Sequence, residues 1–201
     1  MNTAHPPLRI PYGVADFTKL RQGHEYYVDK THYLPLLESA GRFLFLIRPR
    51  RFGKSLLQSV MECYYDAQWA EQFEELFADT WIAAHPTPEQ GRYLTLRFDF
   101  SMVNTLFSGG LQPSFDAHVR IRLDDFLKRH ADWIPAAEAA AILAESDSYQ
   151  RLQRLFTILA QRQLPLYLFI DEYDNFANNL LVTEGEAAYR ELTHGGGFFK
   201  A

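Results

Sequence analysis

Cysteine is almost missing from this 201-residue chain, where Cys63 stands alone. One thiol builds neither a disulfide framework nor a cysteine-based zinc site, and its isolation fits a reducing compartment. Long hydrophobic runs are missing too. The longest, Ala139 to Ala144, has six residues, against the roughly 20 that a membrane-spanning helix needs. Positive charge is not in excess: 20 Lys plus Arg face 25 Asp plus Glu, which argues against broad attraction to nucleic acid or anionic membranes and leaves only a local basic patch for such contacts. The seven histidines show no H-x-x-x-H spacing, so a zinc site is not expected. His194-Gly195-Gly196-Gly197 has no G-x-S-x-G nucleophile elbow to serve and is expected to be a turn. The N-terminus has neither a basic start nor an apolar stretch. No secretory signal is expected, and the chain is expected in the cytoplasm, off the membrane.

What is present is apolar and aromatic. At 47% apolar and 15% aromatic residues, the chain is neither disordered nor coiled-coil, and its length supports a full hydrophobic core. Residues 1–30, with Pro6, Pro7, Pro11 and Gly13 near their start, are expected to be an irregular lead-in packing on a core domain of residues 31–201. Phe43-Leu44-Phe45-Leu46-Ile47 is a short apolar run between Gly41 and Arg48-Pro49, the pattern of a strand buried on both faces. Leu56, Leu57, Val60, Met61 and Tyr64 then predict a helix starting near Lys54, and Trp69, Phe73, Leu76 and Phe77 a further one. Tyr93 to Phe100 alternates apolar and polar residues, as in a strand with one wetter face. Three helical patterns follow, around 115–127, 135–143 and 149–159, and then a second continuous apolar run, Leu166 to Ile170. Strands separated by long helical stretches predict an α/β protein with a mainly parallel sheet.

Between the first apolar run and its helix lies Arg48-Pro49-Arg50-Arg51-Phe52-Gly53-Lys54-Ser55. A strand–turn–helix context is what a P-loop needs, because loop N–H groups and the helix N-terminus then face phosphates. Arg50, Arg51, Phe52, Gly53, Lys54, Ser55 and Leu56 are the candidate nucleotide-binding residues. Lys54 would neutralise the outer phosphates, the Ser55 hydroxyl would ligate Mg²⁺, and Gly53 would allow close backbone approach. Arg48 stands where the general G-x-x-x-x-G-K-[ST] pattern has glycine. The alternative is a basic surface turn, with four cations in seven residues (Arg48, Arg50, Arg51, Lys54), that touches nucleic acid.

The second apolar run ends in Asp171-Glu172. Carboxylates at the C-terminal end of a buried strand emerge where α/β folds bind ligands. Asp171 would hold Mg²⁺, and Glu172 would orient the attacking water as the catalytic residue. A strand that merely meets solvent in acidic residues is the plainer alternative, but the two features together supply the cation and carboxylate halves of one Mg-nucleotide site. Asp29-Lys30-Thr31 would either reach the nucleotide or start a helix, since Asp and Thr cap helices well. Asp99, on the wetter face of its strand, is read by default as a surface carboxylate.

These segments resemble the AAA-ATPase-like proteins, a divergent P-loop (ASCE) group. The matching stretches are Pro11 to Phe17, Tyr27 to Thr31, Arg48 to Leu56, Phe98 to Ser101 and Phe169 to Asp174. In that family the Arg-Pro-Arg-Arg-Phe-Gly-Lys-Ser form is the usual loop. The resemblance implies ATP and Mg²⁺ as ligands and a strand order of five-one-four-three-two. Residues 43–47, 93–100 and 166–170 would be strands one, two and three, so that strand four would follow residue 201. It also implies a sensor strand and a C-terminal domain resembling PD-(D/E)XK nucleases, and neither is visible. No acidic residue stands two positions before any of the five lysines, so the chain carries no such nuclease site. The chain is therefore expected to be a fragment that stops before its sheet is complete. The function expected is Mg-dependent ATP hydrolysis. A nucleotide-binding switch without turnover, and a nucleic-acid-contacting module through the 48–54 turn, are the alternatives. A homo-oligomer, and nucleic acid reached through the missing domain, are the partners left open.

Overall fold

A computed structural model describes residues 9–47, 49, 51–103 and 110–172. The elements in chain order are α1 (Phe17–Gln22), α2 (Leu34–Ala40), α3 (Lys54–Tyr65), α4 (Phe73–Leu76), α5 (Trp81–Ala84), β1 (Leu94–Asp99), α6 (Leu111–Arg129), α7 (Ala136–Ala144), α8 (Ser148–Gln161) and β2 (Leu166–Asp171). The chain divides into two compact units, Met1–Leu94 and Thr95–Ala201. No helix among the described residues is long and apolar enough to cross a membrane.

The first unit is built on α3, which starts at Lys54 as its apolar spacing predicts and buries Leu57, Val60, Met61 and Tyr64. Helix α1 lies inside the stretch expected to be irregular. Asp16 caps it by accepting from the Lys19 N–H, and Phe17 and Leu20 are buried on its inner face. The Phe17 N–H donates to the buried Ser59 Oγ on α3 at 2.9 Å. An aromatic cluster joins the elements: the Phe17 ring lies 5.0 Å from Phe77 and 5.2 Å from Tyr27, and Tyr64 lies 5.7 Å from Phe77. Trp69, Phe73, Leu76 and Phe77 do not share one helix. Residues Ala67–Gln72 form a 3-10 turn ahead of the single-turn α4, because Asp66 caps that turn at the Gln68 N–H and the Ala67 N–H is drawn to the Tyr93 carbonyl at 2.8 Å.

In the second unit β1 and β2 form a two-stranded parallel sheet, the adjacency that strands two and three require in the implied order. The α/β class holds, with helices α6, α7 and α8 where the three periodic stretches predict them; α8 packs on both α6 and α7. Phe98, Phe100, Phe115, Leu123, Phe126, Leu155 and Phe169 are buried in this unit. Ser148, buried at the start of α8, donates through its N–H (3.0 Å) and its hydroxyl to Asp116 Oδ1 on α6.

Two strand expectations are corrected. Residues 43–47 form no strand, and Phe43, Phe45 and Ile47 are 92%, 83% and 90% exposed. Extended backbone becomes a strand only when a neighbour takes its hydrogen bonds, and no described residue pairs with this segment. Strand β2 is not buried on both faces: Phe169 and Asp171 are covered, while Leu168 and Ile170 are 40% and 47% exposed. An unbroken apolar run states what a strand needs covered, whereas coverage depends on what packs there. Strand β1 departs from strict alternation in the other sense, with Thr95 fully buried on the face expected to be wetter.

Thr31, fully buried, accepts the Ile82 N–H on α5 through its Oγ1 at 3.0 Å. Thr31→Val removes that acceptor and strands a buried amide, which costs about 1–3 kcal/mol. Urea unfolding followed by tryptophan fluorescence should report this loss.

Candidate functional site

The turn ahead of α3 is tight. The Phe52 N–H donates to the Pro49 carbonyl at 3.3 Å. Arg51 (φ 69°) and Gly53 (φ 77°) both lie in the left-handed region. For Arg51 this conformation is strained, and such strain persists mainly where surrounding structure or a ligand requires it. Gly53 is the N-cap of α3, and its carbonyl accepts the Leu57 N–H at 2.9 Å. A Cβ on Gly53 would meet no described residue within 4 Å. Backbone conformation, not crowding by the described residues, therefore favours glycine here. The N-cap, a glycine, supplies no side-chain cap and no acidic residue stands in the first turn of α3, so no carboxylate of that turn opposes the positive end of the helix dipole. Lys54, Ser55 and Leu56 are half-buried on that first turn, and Phe52 is 64% exposed. Arg48 and Arg50 lie outside the described residues.

A cavity of about 290 Å³ opens beside this turn, with Gly53 and Leu56 in its wall and Leu20, Leu57 and Val60 beneath. Asp29 and Thr31 have structural work nearby. Asp29 accepts the Thr31 N–H at 2.8 Å and the Trp81 N–H at 2.7 Å, so the helix-starting alternative describes both residues. Tyr27 has its hydroxyl pushed up to about 12, chiefly by burial and then by the Asp29 charge, which keeps it a neutral donor. Burial drives the Cys63 thiol well above its ordinary range, which leaves it unsuited to act as a nucleophile.

In the second unit, β2 ends on Asp171, whose side chain is 2% exposed. Its Oδ2 accepts from Arg97 Nη2 on β1 at 3.2 Å, and its Oδ1 accepts the Glu172 N–H at 3.0 Å. Glu172 is half-buried and left-handed, with φ 52°. The chain therefore leaves the strand through a strained residue, and that residue carries the candidate catalytic carboxylate. Asp99 caps the 3-10 turn Phe100–Met102 by accepting the Ser101 N–H at 3.0 Å, a local structural role. Tyr173 and Asp174 lie outside the described residues.

The structure thus gathers Gly53, Lys54, Ser55 and Leu56 at one helix start in the first unit, and Asp171 and Glu172 at one strand end in the second. In the first unit, a helix start with no acidic residue in its first turn suits anionic oxygens. In the second, a buried carboxylate is an oxygen donor of the kind Mg²⁺ prefers. Sequence reasoning assigned no role to Arg97. The partner of its ion pair is 74 positions away, and no local pattern reveals a cross-strand contact.

A family model described as "Predicted AAA-ATPase" matches residues 11–201. An uncharacterized protein in the vnfD 5' region of Azotobacter chroococcum mcd 1 is 51% identical over 49 residues, 24% of this chain and 10% of that protein. No solved structure matches. With nearly its whole length matched, the chain belongs to the AAA-ATPase-like family.

Proposed function

We propose that the chain is the ATP-binding core of a P-loop ATPase that hydrolyses ATP with Mg²⁺. The observation that carries this is the start of α3: a left-handed Gly53, then Lys54 and Ser55 on a first turn without acidic residues. Phosphate oxygens would accept from the backbone N–H groups of that turn, and the Lys54 ammonium would offset the charge of the outer phosphates. Ser55 and Asp171 would hold the metal, which when bound supplies Lewis-acid stabilisation of charge on the transferring phosphoryl group. Glu172 would accept a hydrogen bond from the attacking water and orient it in line. Arg51 and Phe52 would fix the turn's approach to the phosphates, with Arg50 beside them in sequence.

A second reading, a switch that holds ATP without turnover, draws support from one contact. Arg97 engages the Asp171 Oδ2, so a metal must share or displace that ion pair before the carboxylate serves it. The two readings separate at Glu172.

Lys54→Ala is expected to reduce ATP affinity at least tenfold in equilibrium titration, and unchanged binding would overturn both readings. Glu172→Gln is expected to keep ATP binding while single-turnover hydrolysis falls by about 10²–10⁴-fold. If the parent chain shows no turnover for Glu172→Gln to remove, the switch reading stands instead.

A further inference from the structure

We propose that Arg97 guards the metal carboxylate: it holds Asp171 in the nucleotide-free chain, so that a divalent cation gains that side chain only when phosphates arrive with it. This rests on the reading of Asp171 as a metal ligand. The ion pair joins neighbouring strands, with Arg97 Nη2 on β1 donating to Asp171 Oδ2 on β2 at 3.2 Å. The other oxygen, Oδ1, accepts the Glu172 N–H at 3.0 Å. Both oxygens are engaged before any metal comes, and a cation approaching either of them meets the guanidinium charge at close range.

The two partners differ in their access to water. The Asp171 side chain is 2% exposed and that of Arg97 is 23% exposed. A buried carboxylate left without a cation is costly, whereas the guanidinium can withdraw toward solvent and be rehydrated. Asp99 stands two positions further along β1, on the same face as Arg97, and is half-buried. It offers a displaced Arg97 a second carboxylate. Exchange at Asp171 is thus cation for cation: the metal enters as Arg97 withdraws, and the carboxylate is never left bare.

Mg²⁺ dehydrates reluctantly and is ordinarily held by one or two carboxylates together with substrate phosphates. Among the described residues, no group of three or more His, Cys, Asp or Glu side chains could hold a metal ion. A bare divalent cation therefore has one buried carboxylate to gain and an ion pair to break for it. A cation that carries phosphate ligands brings further bonds that offset the break. Arg97 acts on the metal through Asp171, and it makes metal capture conditional on nucleotide.

The test titrates Mn²⁺ into the full chain without nucleotide and reads free Mn²⁺ by electron paramagnetic resonance. Arg97→Gln is expected to bind Mn²⁺ at least about tenfold more tightly than the unsubstituted chain, the scale on which one neighbouring charge alters the ion affinity of a carboxylate. Arg97→Lys keeps a cation and is expected to show no such gain. Adding Asp171→Asn to Arg97→Gln is expected to cancel it. No gain in Arg97→Gln, an equal gain in Arg97→Lys, or a gain that survives Asp171→Asn would overturn the proposal. A readout on the unsubstituted chain covers the case in which Arg97→Gln does not fold. Its Arg97 Nε–H resonance, assigned by its absence from the Arg97→Lys spectrum, is expected to move with Mg²⁺ plus ATP and to stay in place with either alone. Movement with either alone, or none with both, overturns the proposal. Asp171→Asn separately tests the underlying reading. If it leaves the affinity for Mn²⁺–ATP unchanged, Asp171 is no metal ligand and the proposal falls with that reading.

Discussion

Helix α3 is locked along its length, and the first unit is organised by that lock. Seven of its 12 residues are buried. Ser59 accepts the Phe17 N–H, Tyr64 packs edge-on against Phe77, and Tyr65 does the same against Tyr93. The Tyr64 and Tyr65 carbonyls accept the Gly91 and Tyr93 N–H groups at 2.9 Å each. Gly53, Lys54 and Ser55 therefore stand at the start of a helix anchored through its inner face and its far end.

The acidic end of β2 is held differently. One oxygen of Asp171 is bound by the Arg97 guanidinium from the neighbouring strand and the other by the next residue's own amide. Removing Arg97 alone would take this cation from a buried carboxylate, which costs more than replacing both partners together. The strand pairing of β1 with β2 is thus also an electrostatic pairing, and the left-handed turn at Glu172 follows immediately from it.

Much of this was legible in the sequence where the determinants are local. The start of α3, the three long helices of the second unit and both described strands follow from the period of apolar residues and from capping chemistry. Residues 43–47 were misread because a strand is a relation between two segments, and composition speaks for one of them. Arg97 was missed for the same reason: its carboxylate partner is remote in sequence and near only after folding. The Asp29-Lys30-Thr31 triplet was readable only as two alternatives, because the amides that Asp29 and Thr31 accept from, at Trp81 and Ile82, are 52 and 51 positions away.

The exposed segment 43–47 also bears on how the protein survives in solution. Five consecutive apolar, β-favouring residues with no charge make a template for association between chains. Arg42 stands directly before them, and Arg48-Pro49 directly after. Charges and a proline at the borders of such a stretch hinder its stacking with copies of itself. The basic residues that flank this segment therefore have a colloidal duty. Neutralising them at high salt, or by a bound polyanion, would remove part of the barrier to aggregation.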